Sequence, residues 1–114
     1  LAARYGGDEF IIICRTNNEA DLAAKAEIIR TRIQEKTFGH DGRVIRITAS
    51  LGIAFVPQRF NGIPEDPIKA ADMMLYESKA HGRNRVTAVV FDDAFARRMA
   101  GDPTYDATKF LKVG

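Results

Sequence analysis

The sequence contains little cysteine and no long hydrophobic run. Its single cysteine, Cys14, cannot form an intramolecular disulfide, and its place in the apolar residues 10–14 predicts a buried, reduced thiol. We therefore expect a cytoplasmic location, although other domains could anchor a longer protein to a membrane. The same five residues form the longest apolar run, far short of the roughly 20 that span a membrane, and no signal-peptide pattern opens the chain. We expect no membrane contact from this segment.

The charges are nearly balanced, with 17 Lys and Arg residues against 15 Asp and Glu residues and a formal net charge of +2. This small surplus excludes the dense basic surface of a general nucleic-acid binder. With 114 residues, 46% hydrophobic and 28% charged, the chain has the composition of one globular domain. Because it begins with Leu1 rather than methionine, we expect a processed chain or a fragment.

The first half of the chain predicts a hairpin, a helix and a strand. Two strand-like runs flank the glycine pair at residues 6–7, which predicts a β-hairpin with a two-residue turn. Asn18 is a predicted N-cap of an amphipathic helix that reaches Thr37. After a turn at residues 38–42, alternating apolar residues over 45–55 predict one long strand with one buried face. The predicted core positions of the helix are Leu22, Ala26, Ile29 and Ile33, and its predicted solvated positions are Lys25, Arg30, Arg32 and Glu35.

The second half predicts a helix, a strand and a short helix. Asp66 followed by Pro67 is typical of a helix start, and Gly82 is placed to end this helix in a left-handed cap after Ala80. Residues 86–91 read as a strand and 93–100 as a short helix. The order β-β-α-β-α-β predicts an α/β (α+β) fold, with antiparallel pairing in the sheet and helices packed on one face. The predicted core side of the longer helix is Ile68, Ala71 and Leu75.

Two adjacent acids, Asp8 and Glu9, follow the glycine pair. Carboxylate oxygens are the ligands that Mg²⁺ prefers, usually one or two from the protein, so a site here needs a further acid from elsewhere. The alternative is a polar turn whose charges serve only solubility.

Two cations, Lys79 and Arg83, lie four residues apart across the end of the second long helix. At that spacing they can converge on one anionic group such as a phosphate, and they also complement the helix dipole. The alternative is cationic helix capping without a ligand. His40 and His81 have no carboxylate or cysteine at metal-ligand spacing, so both are expected on the surface. No arrangement predicts a nucleophilic triad.

Three blocks of sequence, taken together, resemble the GGDEF family of diguanylate cyclases. The blocks are RYGGDEF at residues 4–10, ITASLGIA at 47–54 and ADMMLYESKAHGRNRV at 71–86. They occur in the family's order and approximate spacing, and the resemblance covers about four-fifths of the chain. It implies that residues 1–91 are the C-terminal portion of an N-terminally truncated GGDEF domain. Residues 92–114 would be a C-terminal extension or linker.

The resemblance implies a fold similar to the palm of nucleotidyl cyclases and polymerases, and condensation of two GTP into cyclic di-GMP with release of pyrophosphate. By matching position, Gly6 and Gly7 would let the backbone approach the nucleotide. Asp8 would be a metal ligand and the candidate base, and Glu9 the second acid at a site for Mg²⁺ or Mn²⁺. In the family, a further metal-binding Asp and the guanine-recognising residues come from upstream of the signature, so the fragment alone is expected to be inactive.

The resemblance also implies partners. Lys79 and Arg83 match family residues that hold the GTP phosphates. Each domain would bind one GTP, so turnover needs a homodimer with two sites face to face. Covalently linked sensory or EAL-type domains are expected, and nucleic acid is not.

Two other functions remain open at this stage. The first is a catalytically inactive GGDEF-type module that binds GTP or cyclic di-GMP and regulates a neighbouring domain; the intact Asp8 and Glu9 favour the enzyme over it. The second is an α/β module that binds single-stranded nucleic acid. The polar side of the predicted long strand offers Arg46, Thr48 and Ser50 but no aromatic ring for base stacking, which disfavours this function.

Overall fold

The computed structural model describes residues 2–4, 10–12, 16–57, 62–63 and 65–101. This part of the chain contains six strands and three helices, and the described strands form three two-stranded pairs, two antiparallel and one parallel. The predicted α+β class with an antiparallel-containing sheet is confirmed. The elements are β1 (Ala2–Arg4), β2 (Phe10–Ile12), α1 (Glu19–Glu35), β3 (Thr37–His40), β4 (Arg43–Arg46), β5 (Leu51–Phe55), α2 (Glu65–Ala80), β6 (Val86–Val90) and α3 (Asp93–Gly101).

Strands β5 and β6 pair in parallel, from Leu51 opposite Val86 to Phe55 opposite Val90. A hydrogen bond at each end extends the ladder, from Leu51 N to the Arg85 carbonyl (2.9 Å) and from Phe91 N to the Phe55 carbonyl (2.8 Å). Parallel neighbours need a long crossover connection, and α2 supplies it and packs on both strands. Ala70 and Met74 of α2 are fully buried in this β5–α2–β6 unit.

The predicted long strand over 45–55 is wrong, because residues 47–50 separate β4 from β5. Strand β4 instead pairs with β3 across a two-residue turn, in which Asp41 has φ 50° and Gly42 has φ 75°. Asp-Gly favours this turn, whose backbone twist matches that of paired strands. The hairpin therefore replaces the turn predicted at residues 38–42. The expected burial of one face also fails here, since Ile45 and Ile47 are exposed.

The side of β5 that faces α2 is opposite to the predicted one. A side chain on Gly52 would point into the backbone of α2 at Ala71 and Leu75, and Ala54 packs against the buried core. Successive strand residues point to opposite faces, so Leu51, Ile53 and Phe55 lie on the other side. All five residues of β5 are half-buried rather than alternately buried and exposed.

Helix α1 begins as predicted. The Asn18 side chain accepts hydrogen bonds from Ala20 N (2.9 Å) and Asp21 N (3.3 Å), which satisfies two of the free amides of the first turn. The helix ends at Glu35 because Lys36 takes an extended conformation that leads into β3. Of the predicted core positions Ala26 is buried, whereas Ile29 is exposed.

Helix α2 begins at Glu65, two residues before the predicted start at Pro67. Proline is tolerated there because the amides of the first turn have no partner within the helix. The most buried face of α2 also differs from the predicted one. Ala70, Met74 and Ser78 have no exposed surface, whereas the predicted Ile68, Ala71 and Leu75 are half-buried.

The described core joins α2 to the segment that follows β6 through Ala70, Phe91 and Phe95. The two phenyl rings meet edge to face, with centroids 5.7 Å apart, a favourable geometry for aromatic pairs. Phe95 belongs to α3, so this helix packs on the core, and residues 102–114 lie outside the described part. The domain boundary after residue 91 stays a prediction.

Within the described ranges, no helix combines the length and the apolar character that crossing a membrane requires.

Candidate functional site

The glycine pair and the two acids, Gly6, Gly7, Asp8 and Glu9, lie outside the described residues, between β1 and β2. The two strands are antiparallel, so the predicted hairpin is confirmed. The register differs from the predicted one. Arg4 lies opposite Phe10, so an odd number of residues separates these two partners along the chain. Partners across a regular two-residue turn are separated by an even number of residues.

Residues 82–85, here called the cap loop, follow α2. Gly82 has φ 112° and takes the predicted left-handed conformation, and Arg83 N donates to the Ser78 carbonyl at 2.9 Å. This bond reaches back five positions in the chain, and such a bond is characteristic of a Schellman cap. Lys79 lies half-buried in the last turn of the helix and Arg83 is exposed just beyond it. The two predicted phosphate-binding cations thus flank the same helix end.

The cap loop has an unusual backbone, because Arg83 (φ 62°) and Asn84 (φ 47°) are left-handed as well as Gly82. For residues with a side chain this conformation costs roughly 1–2 kcal/mol each, although asparagine tolerates it better than most. Such a run persists only where the surrounding structure holds it.

Contacts from two directions hold the cap loop. On one side, Oγ of Ser50, the residue just before β5, accepts a hydrogen bond from Asn84 N at 3.2 Å. From α1, Arg30 Nη1 donates to Asn84 Oδ1 at 2.7 Å. Ser50 and Arg30 thus both bind Asn84, whose backbone has the left-handed conformation.

Helix α2 is tied to the strands just before the cap loop. The buried Ser78 hydroxyl lies 2.7 Å from the Leu51 carbonyl, to which it donates, and 2.7 Å from Thr87 Oγ1. These bonds join α2 to β5 and β6 one turn before Arg83. The helix end therefore cannot move without breaking buried hydrogen bonds.

Arg30 is itself held in place on α1. Its Nε donates to Glu27 Oε2 at 2.9 Å, its Nη2 pairs with Glu27 Oε1, and its Nη1 also donates to Gln34 Oε1 at 2.9 Å. The hydrogen bonds between the pair lower the pKa of the Glu27 carboxyl and raise the pKa of the Arg30 guanidinium. Protonation of Glu27 in acid would remove this support.

The expectation that Arg30 belongs to a solvated face is wrong, because its side chain is only 15% exposed. Helical spacing alone does not separate it from Arg32, which is exposed. Its partner Asn84 lies 54 residues away in the chain, so no local pattern could have identified the contact.

His81 follows α2 and is exposed, as expected. Its Nδ1 lies 2.9 Å from the Glu77 carbonyl and 3.3 Å from the Glu77 carboxylate, which is almost fully buried. This pair belongs to the same helix end as Lys79.

No three His, Cys, Asp or Glu side chains gather into a metal site within the described ranges. The predicted ligands Asp8 and Glu9 are hard oxygen donors, the type that Mg²⁺ and Mn²⁺ take, so the chemistry of this donor set fits either cation.

Comparison with known proteins places the chain in a family context. The family model described as diguanylate cyclase, GGDEF domain, matches residues 1–85. Diguanylate cyclase A of Treponema denticola is 41% identical over 86 residues, which cover 75% of this chain and 23% of that protein. Diguanylate cyclase DosC of Escherichia coli K12 is 43% identical over 86 residues, covering 73% of this chain and 18% of that protein. Response regulator PleD of Caulobacter vibrioides is 35% identical over 88 residues, covering 75% and 19%. The chain thus spans about a fifth of the length of these relatives.

Proposed function

This chain belongs to the GGDEF family of diguanylate cyclases, and we propose that it is part of an enzyme that condenses two GTP into cyclic di-GMP with release of pyrophosphate. One observation carries the proposal. The family match includes the complete Gly-Gly-Asp-Glu-Phe sequence at residues 6–10, with both acids present between the paired strands β1 and β2. Two adjacent carboxylates are the donors that a catalytic divalent cation takes, which favours an enzyme over a module that only binds nucleotide.

The two acids take the central roles in this proposal. Asp8 and Glu9 would hold the divalent cation, and Asp8 is also the candidate base for the attacking 3′-hydroxyl. Mg²⁺ or Mn²⁺, when bound, supplies neutralisation of the charge on the phosphates, which phosphoryl transfer requires more than covalent help from the protein. Gly6 and Gly7 leave room for the nucleotide to approach the backbone.

The cap loop supplies positive charge in this proposal. Lys79 and Arg83 bind the GTP phosphates from the end of α2, which the bonds of Ser78 fasten to the strands. One such site holds one GTP, so two domains must face each other to join two nucleotides.

Direct detection of the product tests the proposed reaction. The chain and the full-length product of its gene are each incubated with GTP and Mg²⁺, and cyclic di-GMP is measured by mass spectrometry. Product from the full-length protein is the expected result. GTP binding without product from either sample would favour a regulatory nucleotide-binding module, and neither binding nor product would contradict both functions.

Substitution of Arg83 tests the phosphate contact. Arg83→Ala is expected to weaken GTP affinity by about 1–3 kcal/mol, the range for a lost charge-assisted hydrogen bond. Alanine retains a Cβ, so the left-handed backbone is as disfavoured as before, and glycine would not be an equivalent choice. Isothermal titration with a non-hydrolysable GTP analogue measures the change.

The matched control is Arg46→Ala, which removes the same charge from an exposed position of β4. It should bind the analogue as the wild type does. Equal affinity of the Arg83 and Arg46 variants would assign Arg83 to helix capping alone.

A further inference from the structure

Arg30 connects two parts of the molecule that are far apart in sequence. Its guanidinium lies on α1, and its Nη1 donates to the side chain of Asn84 in the cap loop at 2.7 Å. Asn84 directly follows Arg83, the proposed phosphate ligand. A residue of α1 therefore contacts the immediate neighbour of that ligand.

The backbone at Arg83 has fixed points on both sides. Before it, Arg83 N is bound to the Ser78 carbonyl, and Ser78 is buried between α2 and the strands. After it, the backbone N–H of Asn84 donates to Ser50 Oγ, and the side-chain oxygen of Asn84 accepts a hydrogen bond from Arg30. Between these points both residues have positive φ, a conformation that relaxes to the commoner negative range when its supports are removed.

The support from α1 is rigid because Arg30 makes all its contacts at once. Glu27 takes two of its donors in a fork geometry and Gln34 takes another, which leaves one Nη1 hydrogen aimed at Asn84. Lysine has no such planar fork and cannot reproduce the arrangement. The contact with Asn84 thus has a defined direction.

We propose that Arg30 is a positioning residue for the nucleotide phosphates: through Asn84 it holds the left-handed cap loop and so aims Arg83. This rests on the proposed function, in which Arg83 binds a GTP phosphate. The alternative is a structural link between α1 and the cap loop that has no influence on the ligand.

Nucleotide binding by the full-length protein tests this role. Arg30→Ala is expected to weaken binding of a non-hydrolysable GTP analogue about tenfold, because a small displacement of a positioning group is costly. In kinetics the effect should fall mainly on KM. Arg30→Lys should recover little of the loss. Arg32→Ala removes the same charge from an exposed position of the same helix and should bind as the wild type does.

A second substitution avoids any dependence on the folding of α1. Asn84→Gly removes the acceptor of the Arg30 bond, and glycine accepts the positive φ found at residue 84. It should weaken binding of the analogue as Arg30→Ala does. Amide hydrogen exchange of the unliganded protein should speed up at residues 83 and 84 in Arg30→Ala and stay unchanged there in Arg32→Ala.

A double-mutant cycle separates positioning from a structural link. If Arg30 acts through Arg83, then Arg30→Ala should cause no further loss of affinity in an Arg83→Ala background. Additive losses, or an Arg30→Ala variant with the wild-type affinity and exchange rates, would overturn the inference. A wild-type protein that binds no GTP would instead overturn the proposed function itself, and the inference with it.

Discussion

Replacing Asp8 by asparagine is expected to abolish cyclic di-GMP production while the protein remains folded. Asparagine has nearly the same shape as aspartate but lacks the negative charge that a divalent cation needs from its ligand. Metal-ion catalysis stabilises the transition state by several kcal/mol, and a loss of about 4 kcal/mol corresponds to a rate roughly a thousandfold lower. The measurement is the initial rate of product formation by the full-length protein in Mg²⁺, with thermal unfolding followed by circular dichroism.

Asp41→Asn is the matched control for this experiment. It makes the same chemical change in the turn between β3 and β4, where asparagine followed by Gly42 suits the left-handed backbone equally well. Its rate should equal that of the wild type. A near-normal rate for the Asp8 variant would mean that Asp8 and Glu9 belong to a polar turn and do not bind a catalytic metal.

Replacing Gly52 by alanine is expected to destabilise the fold by about 3 kcal/mol or more, the upper end for overpacking a core. An added Cβ would overlap the Leu75 nitrogen and the Ala71 carbonyl oxygen and lie 2.7 Å from the Leu75 Cα. All three atoms belong to the backbone of α2, so no side chain can rotate away to make room. Helix α2 would have to move off β5. Urea denaturation measures the loss, which is a large fraction of the stability of an ordinary domain.

Gly101→Ala is the control for the second prediction. A Cβ at residue 101 would meet no atom within 4 Å, and alanine is the better helix former at the end of α3. This variant should be as stable as the wild type or slightly more stable. Equal stability of the Gly52 and Gly101 variants would mean that α2 does not pack on β5 as closely as described.

Much of the secondary structure was predictable because the deciding contacts are local. The Asn18 cap joins atoms two and three residues apart, and the left-handed Gly82 depends on one residue's lack of a side chain. The hairpin at Asp41 and Gly42 was equally local, since Asp-Gly is a strong turn dipeptide. The apolar alternation that follows it predicts one long strand and so conceals this hairpin.

The packing of β5 was not predictable from alternation. Alternation places Gly52 on the polar side of the strand, yet it faces α2, and the helix approaches it so closely that no side chain fits there. Alternation shows which residues share a face but not which face a helix covers, and a strand half-buried on both sides shows no contrast at all.

The candidate site divides in the same way. Local sequence was enough to identify the signature at residues 6–10, the cations Lys79 and Arg83 and the family to which they belong, because each motif is a short run whose spacing is set by the chain itself. The contact between Arg30 and Asn84 depends instead on how α1 packs on β5 and β6 and so approaches the cap loop. It joins residues 54 positions apart, and only the tertiary structure could distinguish Arg30 from an ordinary surface arginine.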